Sequence, residues 1–311
     1  MSIHAPRVSI GLPVFNGEPF LRETLDSILA QTHQEFELII SDNASTDGTE
    51  GICRAYAARD CRIRYCRHAH NRGASWNYNH VFELSAGQYF KWAAHDDLYT
   101  PDFLARCVAV LDGDPSVVVC YSKTKFIDET GRVLGEYDLA PHGDSPSPHQ
   151  RFRDLILIDH WCYPIFGVIR SGALKMTPLM GYYSSADRVL LARLGLLGRF
   201  HEIPDCLFFY REHPGQSTRV FVTRHQRATW FNPDLEGRVV FPDWRIFAEY
   251  YAAVRESPLG RLDRTRCYLH LTRWVGANRN WARMGKDLIR VGREVLGRVW
   301  GLDGRRRPGA A

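Results

Sequence analysis

Two hydrophobic periodicities alternate along the first 130 residues. Val8–Val14 is a nearly unbroken apolar run of strand length. Pro19–Gln31 sets Phe20, Leu21, Leu25, Ile28 and Leu29 on one helical face. Phe36–Ile40 predicts a short buried strand, and Ser45–Thr49 supplies capping residues for a helix running to about Asp60. Ile63–Cys66 predicts a third strand and Ala74–Ser85 a third helix, with Gly87 as its C-cap. Tyr89–Ala93, Pro101–Leu111 and Val117–Tyr121 predict strand, helix and strand, with Pro at the first helical turn. Such alternation with short loops predicts an α/β fold, a mostly parallel Rossmann-like sheet flanked by helices. Ligands on such sheets lie beyond the carboxyl ends of the strands. Those ends are Pro13–Gly17, Ser41–Asp47 and His95–Thr100, and two of the three carry aspartate.

From about Phe126 to Arg219 the pattern is less regular. Pro141–His149 reads as a loop, Ser184–Leu197 as a helix and Cys206–Tyr210 as a strand. From Trp244 onward the periodicity is helical: Phe247, Tyr250, Tyr251 and Val254 share a face, and segments follow at Leu262–Trp281 and Leu288–Trp300. No internal repeat is visible. The expected organisation is a regular α/β part over 1–125, a less regular part over 126–220 and a helical basic extension over 221–311.

Composition adds bounds rather than a function. The 311 residues are 45% hydrophobic and 24% charged, as in an ordinary globular protein. The longest stretch without Asp, Glu, Lys or Arg is Met176–Ala186, eleven residues, too short to span a bilayer as a helix. Met1–Arg7 shows no apolar leader, and the eight cysteines form no C-x-x-C pair, so a reducing cytosol is the expected setting. The net charge of +5 is unevenly placed. From Arg261 onward thirteen Lys/Arg face four Asp/Glu, or +9, which leaves 5 − 9 = −4 for the remaining 260 residues. A slightly acidic body argues against nucleic acid as a partner.

Three constellations carry candidate chemistry. In Ser41–Thr49, Asp42 ends a strand, where it either caps the following helix or accepts hydrogen bonds from a ribose or base. In Ala94–Asp102, Asp96 and Asp97 follow a buried apolar strand. Adjacent carboxylates repel one another, and a hard divalent cation, Mn²⁺ or Mg²⁺, would neutralise them. The alternative is a helix N-terminus favouring acidic residues, although Thr100-Pro101 already opens that helix. Tyr182–Leu191 opens a helix with Asp187, either a dipole-stabilised acid or a catalytic carboxylate. No P-loop, dinucleotide fingerprint or hydrolase elbow is present.

Read in order, these segments resemble the family 2 glycosyltransferases, which have the GT-A fold. Val8-Ser-Ile-Gly-Leu-Pro13-Val-Phe15-Asn16 resembles the family's opening strand and loop, and Leu21–Thr32 its first helix. Glu37–Thr49, with Asp42 and Asn43, resembles the nucleotide-binding segment. Asn71-Arg72-Gly73 with Asn79, then Ala86–Tyr89, resembles the run before the acidic metal motif. That motif reads Ala94-His95-Asp96-Asp97 here, with alanine at its first acidic position. Phe209–Thr218, with Arg211 and His213, resembles the element after the last core strand. Ala186 stands where the acceptor-half motif usually has Glu, while Asp187 is retained.

The resemblance implies an inverting, metal-dependent transferase moving a sugar from a nucleoside-diphosphate sugar to a hydroxyl of a glycan, lipid-linked or small-molecule acceptor. It implies that Pro13, Phe15, Asn16, Asp42, Asn43, Arg72, Asn79, Asp96 and Arg211 bind the donor. Asp96, Asp97 and His213 would hold Mn²⁺ or Mg²⁺, and Asp187 would be the catalytic base. The two missing acids motivate an alternative, a nucleotide-sugar-binding or scaffold protein of the same fold with weakened catalysis. Trp161, Tyr163, Tyr182 and Tyr183 are either acceptor-stacking or core residues. In the tail, Trp274, Trp281, Leu288, Ile289, Val291, Val295, Leu296, Val299 and Trp300 alternate with basic residues, and Arg305–Arg307 follow. That pattern fits either an anionic membrane surface or a face packed on the body, with the enzyme cytoplasmic or peripheral on the inner face of the membrane.

Overall fold

The computed structural model describes residues 6–139 and 143–299, with residues 224 and 293–299 described by backbone alone. β1 (Val8–Val14) is buried at all seven positions, as a strand covered on both faces must be. It lies between β2 (Phe36–Asp42) and β4 (Tyr89–Trp92), parallel to both, and β3 (Ile63–Arg67) adds in parallel outside β2. The crossovers are α1 (Leu21–Leu29), α2 (Thr49–Ala57) and α3 (Ala74–Glu83). Then come β5 (Leu98–Tyr99), α4 (Phe103–Gly113), β6 (Val117–Ile127) and β7 (Val133–Tyr137). α5 (Pro148–Leu157), β8 (Val168–Arg170), α6 (Ser171–Leu174), α7 (Ala186–Leu197) and β9 (Arg199–Arg211) complete the body.

The sheet order is β3-β2-β1-β4-β8-β6-β9-β5, with β7 paired to β6. β8, β5 and β7 pair antiparallel with their neighbours, so six of the nine strands share one direction. Chain order reverses between β1 and β4, which makes their carboxyl ends the switch point where a crevice forms. The registers show the opening. β1 stays paired with β2 to Val14↔Asp42, but its pairing with β4 ends at Gly11↔Trp92. Pro13 therefore lacks an N–H on a strand that has already lost its β4 neighbour, which is how a central strand tolerates it.

Helices α1, α2 and α4 cover one face, burying Leu21, Leu25, Ile52, Phe103 and Leu104 against Ile10, Leu12, Leu38 and Ile40. On the other face Val81, Phe82, Leu190 and Leu194 pack on Ile39, Phe90 and Trp92. The chain continues through α8 (Ser217–Val220) and α9 (Arg224–Phe231) to α10 (Pro242–Glu256), α11 (Arg261–Gly276) and α12 (Asn280–Val299). A third cluster welds these last helices to the body: Tyr250, Val254, Cys267, Leu271, Trp274 and Met284 pack on Phe152, Val189 and Leu196.

Several boundaries move. α4 begins at Phe103 rather than Pro101, and α5 begins at Pro148, inside the segment read as a loop. The expected strands at Val117 and Cys206 are parts of longer ones, β6 and β9. Trp274, part of the stripe expected to face either a membrane or the body, is 6% exposed and packs inward, because α11 needs an apolar face against α10. The stripe's residues from Val295 onward lie outside the described side chains.

Gly87 is not a helix cap. α3 ends at Glu83, with Leu84 as a right-handed C-cap. A Cβ at Gly87 would lie 2.6 Å from the Ser9 backbone nitrogen and 2.7 Å from the Tyr89 carbonyl oxygen. Glycine is needed here for a close backbone approach. Gly87→Ala should therefore lower stability by about 1–3 kcal/mol, the usual cost of overpacking. Urea unfolding checks this, and an unchanged midpoint would mean that the strands separate freely at this point.

Candidate active site

The loop after β1 is stitched to the loop after β2. Asn16 adopts a left-handed conformation, φ 53°, which an asparagine tolerates better than most residues. Its N–H donates to Ser45 Oγ at 2.9 Å, and its Oδ1 accepts from Thr46 N at 2.9 Å. Asp42 Oδ1 accepts from Ser45 N at 2.8 Å and Oδ2 from the Tyr65 hydroxyl at 2.8 Å. Asn43 donates to Asn71 Oδ1 at 2.8 Å and accepts from Arg72 N at 2.9 Å. Both side chains are therefore spent inside the chain.

The acidic loop is held from behind. β5 pairs with β9 through Leu98↔Phe209 and Tyr99↔Phe208, bringing Arg211 under the Asp96–Asp97 turn. Arg211 N donates to Asp97 Oδ1 at 3.0 Å, and its Nε donates to the Asp96 carbonyl at 2.9 Å. Its Nη1 reaches the carbonyls of Asp128 and Glu129, and its Nη2 reaches Glu23 Oε2 at 2.7 Å. The guanidinium lies over the Phe20 ring, 4.7 Å from its centroid. Thr24 Oγ1 donates to the Asp97 carbonyl at 3.0 Å.

This arrangement corrects the expectation for Arg211. A side chain with no exposed surface and every nitrogen of its fork engaged has nothing to offer a diphosphate. It positions the acidic loop instead. Asp42, Asn43 and Asn79 are likewise buried and bonded within the chain. Asn79 both donates to and accepts from the Met180 backbone, tying α3 to the segment before α7. Pro13 is buried in β1. Phe15, Asn16 and Arg72 are exposed, with Arg72 lying over the Trp76 ring at 3.8 Å.

The three expected metal residues do come together, in unequal roles. Asp96 Oδ2 and His213 Nε2 are 3.0 Å apart, with side chains 14% and 10% exposed. Asp97 is 1% exposed, and its Oδ2 is buried without a partner. Burial and the neighbouring Asp96 charge hold the Asp97 carboxyl well above the usual carboxylate range. Burial works to raise Asp96 too, but His95 and His213 outweigh it and leave that carboxyl below its ordinary value. The pair Asp96 and His213, reached from solvent, fits a divalent cation with oxygen and nitrogen ligands. Asp97 fits as the buried carboxyl behind it. Beneath the loop, burial pulls Lys91 down to about 7, with Cys107 and Asp97 acting in the opposite sense. Its Nζ donates to the Phe166 carbonyl at 2.6 Å.

Asp187 opens α7 just after Ser185, which sits at φ 66°. Its Oδ1 accepts from Arg188 N at 2.9 Å, and its side chain interacts with the Cys162 thiol. Arg188 in turn donates to the His160 carbonyl, fixing the start of α7 against the segment before Tyr163. Burial, then the charges of Asp96, Asp97 and Asp187, raise the Tyr78 phenol. Tyr78, Cys162 and Arg188 escaped the sequence reading. Only Arg188, adjacent to Asp187, carried any local signal. Trp161 is 53% exposed and Tyr182 46%, while Tyr163 is buried in the core.

Arg211→Met should cost about 2–4 kcal/mol, because buried carbonyls that lose their donors cost about 1–3 kcal/mol each. Chemical denaturation checks this. A variant as stable as the parent, but unable to bind a nucleoside diphosphate, would return Arg211 to the ligand.

Comparison with known proteins bears on the same segments. The sequence pattern of Glycosyl transferase family 2 matches residues 9–173, more than half of the chain. An uncharacterised glycosyltransferase of Rickettsia typhi is 34% identical over 132 residues, 42% of this chain and 40% of that protein. The putative glycosyltransferase EpsE of Bacillus subtilis is 35% identical over 127 residues, 40% of this chain and 46% of that protein. The chain thus spans less than half the length of these relatives. Among solved structures, S. aureus TarS 1–349 in complex with UDP superposes with a TM-score of 0.63 at 17% identity, covering 88% of this chain and 73% of that one. The mannosyltransferase PcManGT from Pyrobaculum calidifontis, in complex with GDP-Man and Mn²⁺, gives 0.51 at 18% identity, covering 96% and 88%. At such identities the likeness concerns the fold, which is that of the GT-A glycosyltransferases.

Proposed function

The chain belongs to glycosyltransferase family 2, and on that premise we propose that it transfers a sugar from a nucleoside-diphosphate sugar to an acceptor hydroxyl, with inversion at the anomeric carbon. The observation that carries this reading is the Asp96–His213 pair, 3.0 Å apart at the carboxyl end of β4 and braced by a buried arginine. The neighbouring structures named with UDP, UDP-GlcNAc and GDP-Man support a nucleotide-sugar donor, and the one named with Mn²⁺ supports a cation. A mixed carboxylate and imidazole pair suits Mn²⁺ better than Mg²⁺, which prefers oxygen ligands.

Each residue then has a task. Phe15, Asn16 and Arg72 face solvent at the strand ends and bind the nucleoside side of the donor. Asp96 and His213 hold the cation, which when bound draws off charge from the departing diphosphate. Asp187 takes the proton of the acceptor hydroxyl as that oxygen attacks from the face opposite the leaving group. A single displacement inverts the carbon. Trp161 and Tyr182 expose aromatic surface on the acceptor side.

The described part of α12 adds a second element. Trp281, Leu288 and Ile289 are 63%, 52% and 59% exposed, and Arg283 and Lys286 are exposed beside them. That face suits an anionic membrane surface carrying a lipid-linked acceptor. No helix among the described residues is long and apolar enough to cross a membrane.

Two experiments test these assignments. Calorimetric titration of UDP, GDP, dTDP and CDP should show one nucleotide binding in a Mn²⁺-dependent way, with that dependence lost in Asp96→Ala. Asp187→Asn should keep the binding and lose turnover by about 100-fold or more, the scale of a missing general base. No binding of any nucleotide would sink the donor site, and binding without turnover in the parent would favour the scaffold reading. For the tail, sedimentation with phosphatidylglycerol vesicles should pull down the protein, and Trp281→Ala with Leu288→Ala should release it. Equal sedimentation of parent and variant would discard the membrane role.

A further inference from the structure

A second cluster of metal-ligating side chains lies at the sheet edge, on three separate elements. Cys66 is on β3, His68 follows it, and His80 is on α3. Each offers one donor atom, and the three atoms lie within 4.8 Å of one another. All three residues are half-buried. The surroundings hold them in place. The His68 N–H donates to the Asp42 carbonyl at 2.9 Å, and Nε2 meets Ser41 Oγ at 2.8 Å. Ser41 in turn donates to Asn77 Oδ1 at 2.5 Å. His80 Nδ1 is 3.6 Å from Glu83 Oε2, within reach of an ion pair but beyond hydrogen-bond length. The His80 ring stacks on Trp76 at 4.5 Å, and His68 meets the same indole edge-on at 4.7 Å. Arg72 covers Trp76.

We propose that Cys66, His68 and His80 form a transition-metal site of the zinc type, distinct from the Asp96–His213 pair, with water as the fourth ligand. The donor set decides the metal. One sulfur and two imidazole nitrogens suit Zn²⁺, whereas a carboxylate-based pair suits Mn²⁺. On binding, the Cys66 thiol releases its proton to solvent, and the sulfur–metal bond replaces the 3.4 Å contact from Sγ to the Ile40 carbonyl. The ion staples edge strand β3 to α3. In doing so it fixes the loop of residues 68–73, which carries Arg72 and holds Asn43 through Asn71. This site stands whether or not the chain transfers sugar.

Cobalt(II) is the probe, titrated into the full chain after chelator treatment. The expected result is about one equivalent bound with a thiolate-to-cobalt charge-transfer band, displaced by Zn²⁺. Cys66→Ser should abolish the band. Asp96→Ala should leave the band intact. Zn²⁺ should also raise the melting temperature of the parent but not of His80→Gln, a variant on the outer side of α3 that carries the test if Cys66→Ser fails to fold. A parent protein without the band, or a band that survives Cys66→Ser, overturns the proposal. Cobalt bound without a thiolate band, and lost in Asp96→Ala, would assign the ion to the other site and overturn the proposal too.

Discussion

The Arg211 guanidinium is the constraint on which the site depends. It is fully buried, and its side chain bonds to Asp96, Asp128, Glu129 and Glu23. Burying a cation this deeply is costly unless its donors are met. Here they are met by groups from α1, from the turn between β6 and β7 and from the acidic loop. The guanidinium therefore fixes where three separate segments sit. Asp96 and His213 can converge because Arg211, two residues before His213, grips the Asp96 backbone. The same arginine's backbone N–H holds Asp97 Oδ1, which turns that carboxyl inward, while Asp96 keeps 14% of its side chain exposed.

Around this anchor the fold separates framework from function. At the switch point β1 leaves β4 after Gly11, and the loops beyond β1 and β2 are held by reciprocal side-chain-to-backbone bonds. Asp42, Asn43 and Asn79 are polar residues whose work is internal. Left-handed conformations at Asn16 and Ser185 mark where the chain turns toward the candidate donor and acceptor sides. Such conformations cost about 1–3 kcal/mol for residues with a side chain, and they persist only where surrounding contacts impose them. Tyr78 on α3 lies within electrostatic reach of Asp96, Asp97 and Asp187.

The C-terminal helices complete the body rather than hang from it. Tyr250, Trp274 and Met284 close a third apolar cluster on the outer side of α7. α7 opens with Asp187, so the helix carrying the candidate base is buried on both sides and cannot tilt freely. Rigid support of this kind is what a positioned proton acceptor requires.

The alternating α/β order and the helix and strand types over the first 120 residues were legible from the chain alone, because apolar periodicity is local and strands buried on both faces read as unbroken apolar runs. Asp96 and His213 were legible as candidate ligands because they stand in segments that resemble ordered family motifs. Three things came only from tertiary structure. Arg211 looks like a phosphate ligand in sequence, and burial beneath the β5–β9 pair makes it a brace. Gly87 looks like a helix cap, and the closeness of Ser9 makes it a spacer. Cys66, His68 and His80 have no motif spacing, and only the packing of α3 on the sheet edge brings them together. Sequence reports what a residue is able to do. Whether its polar atoms are spent inside the chain or left for a ligand depends on partners far along the chain, and that is decided by packing.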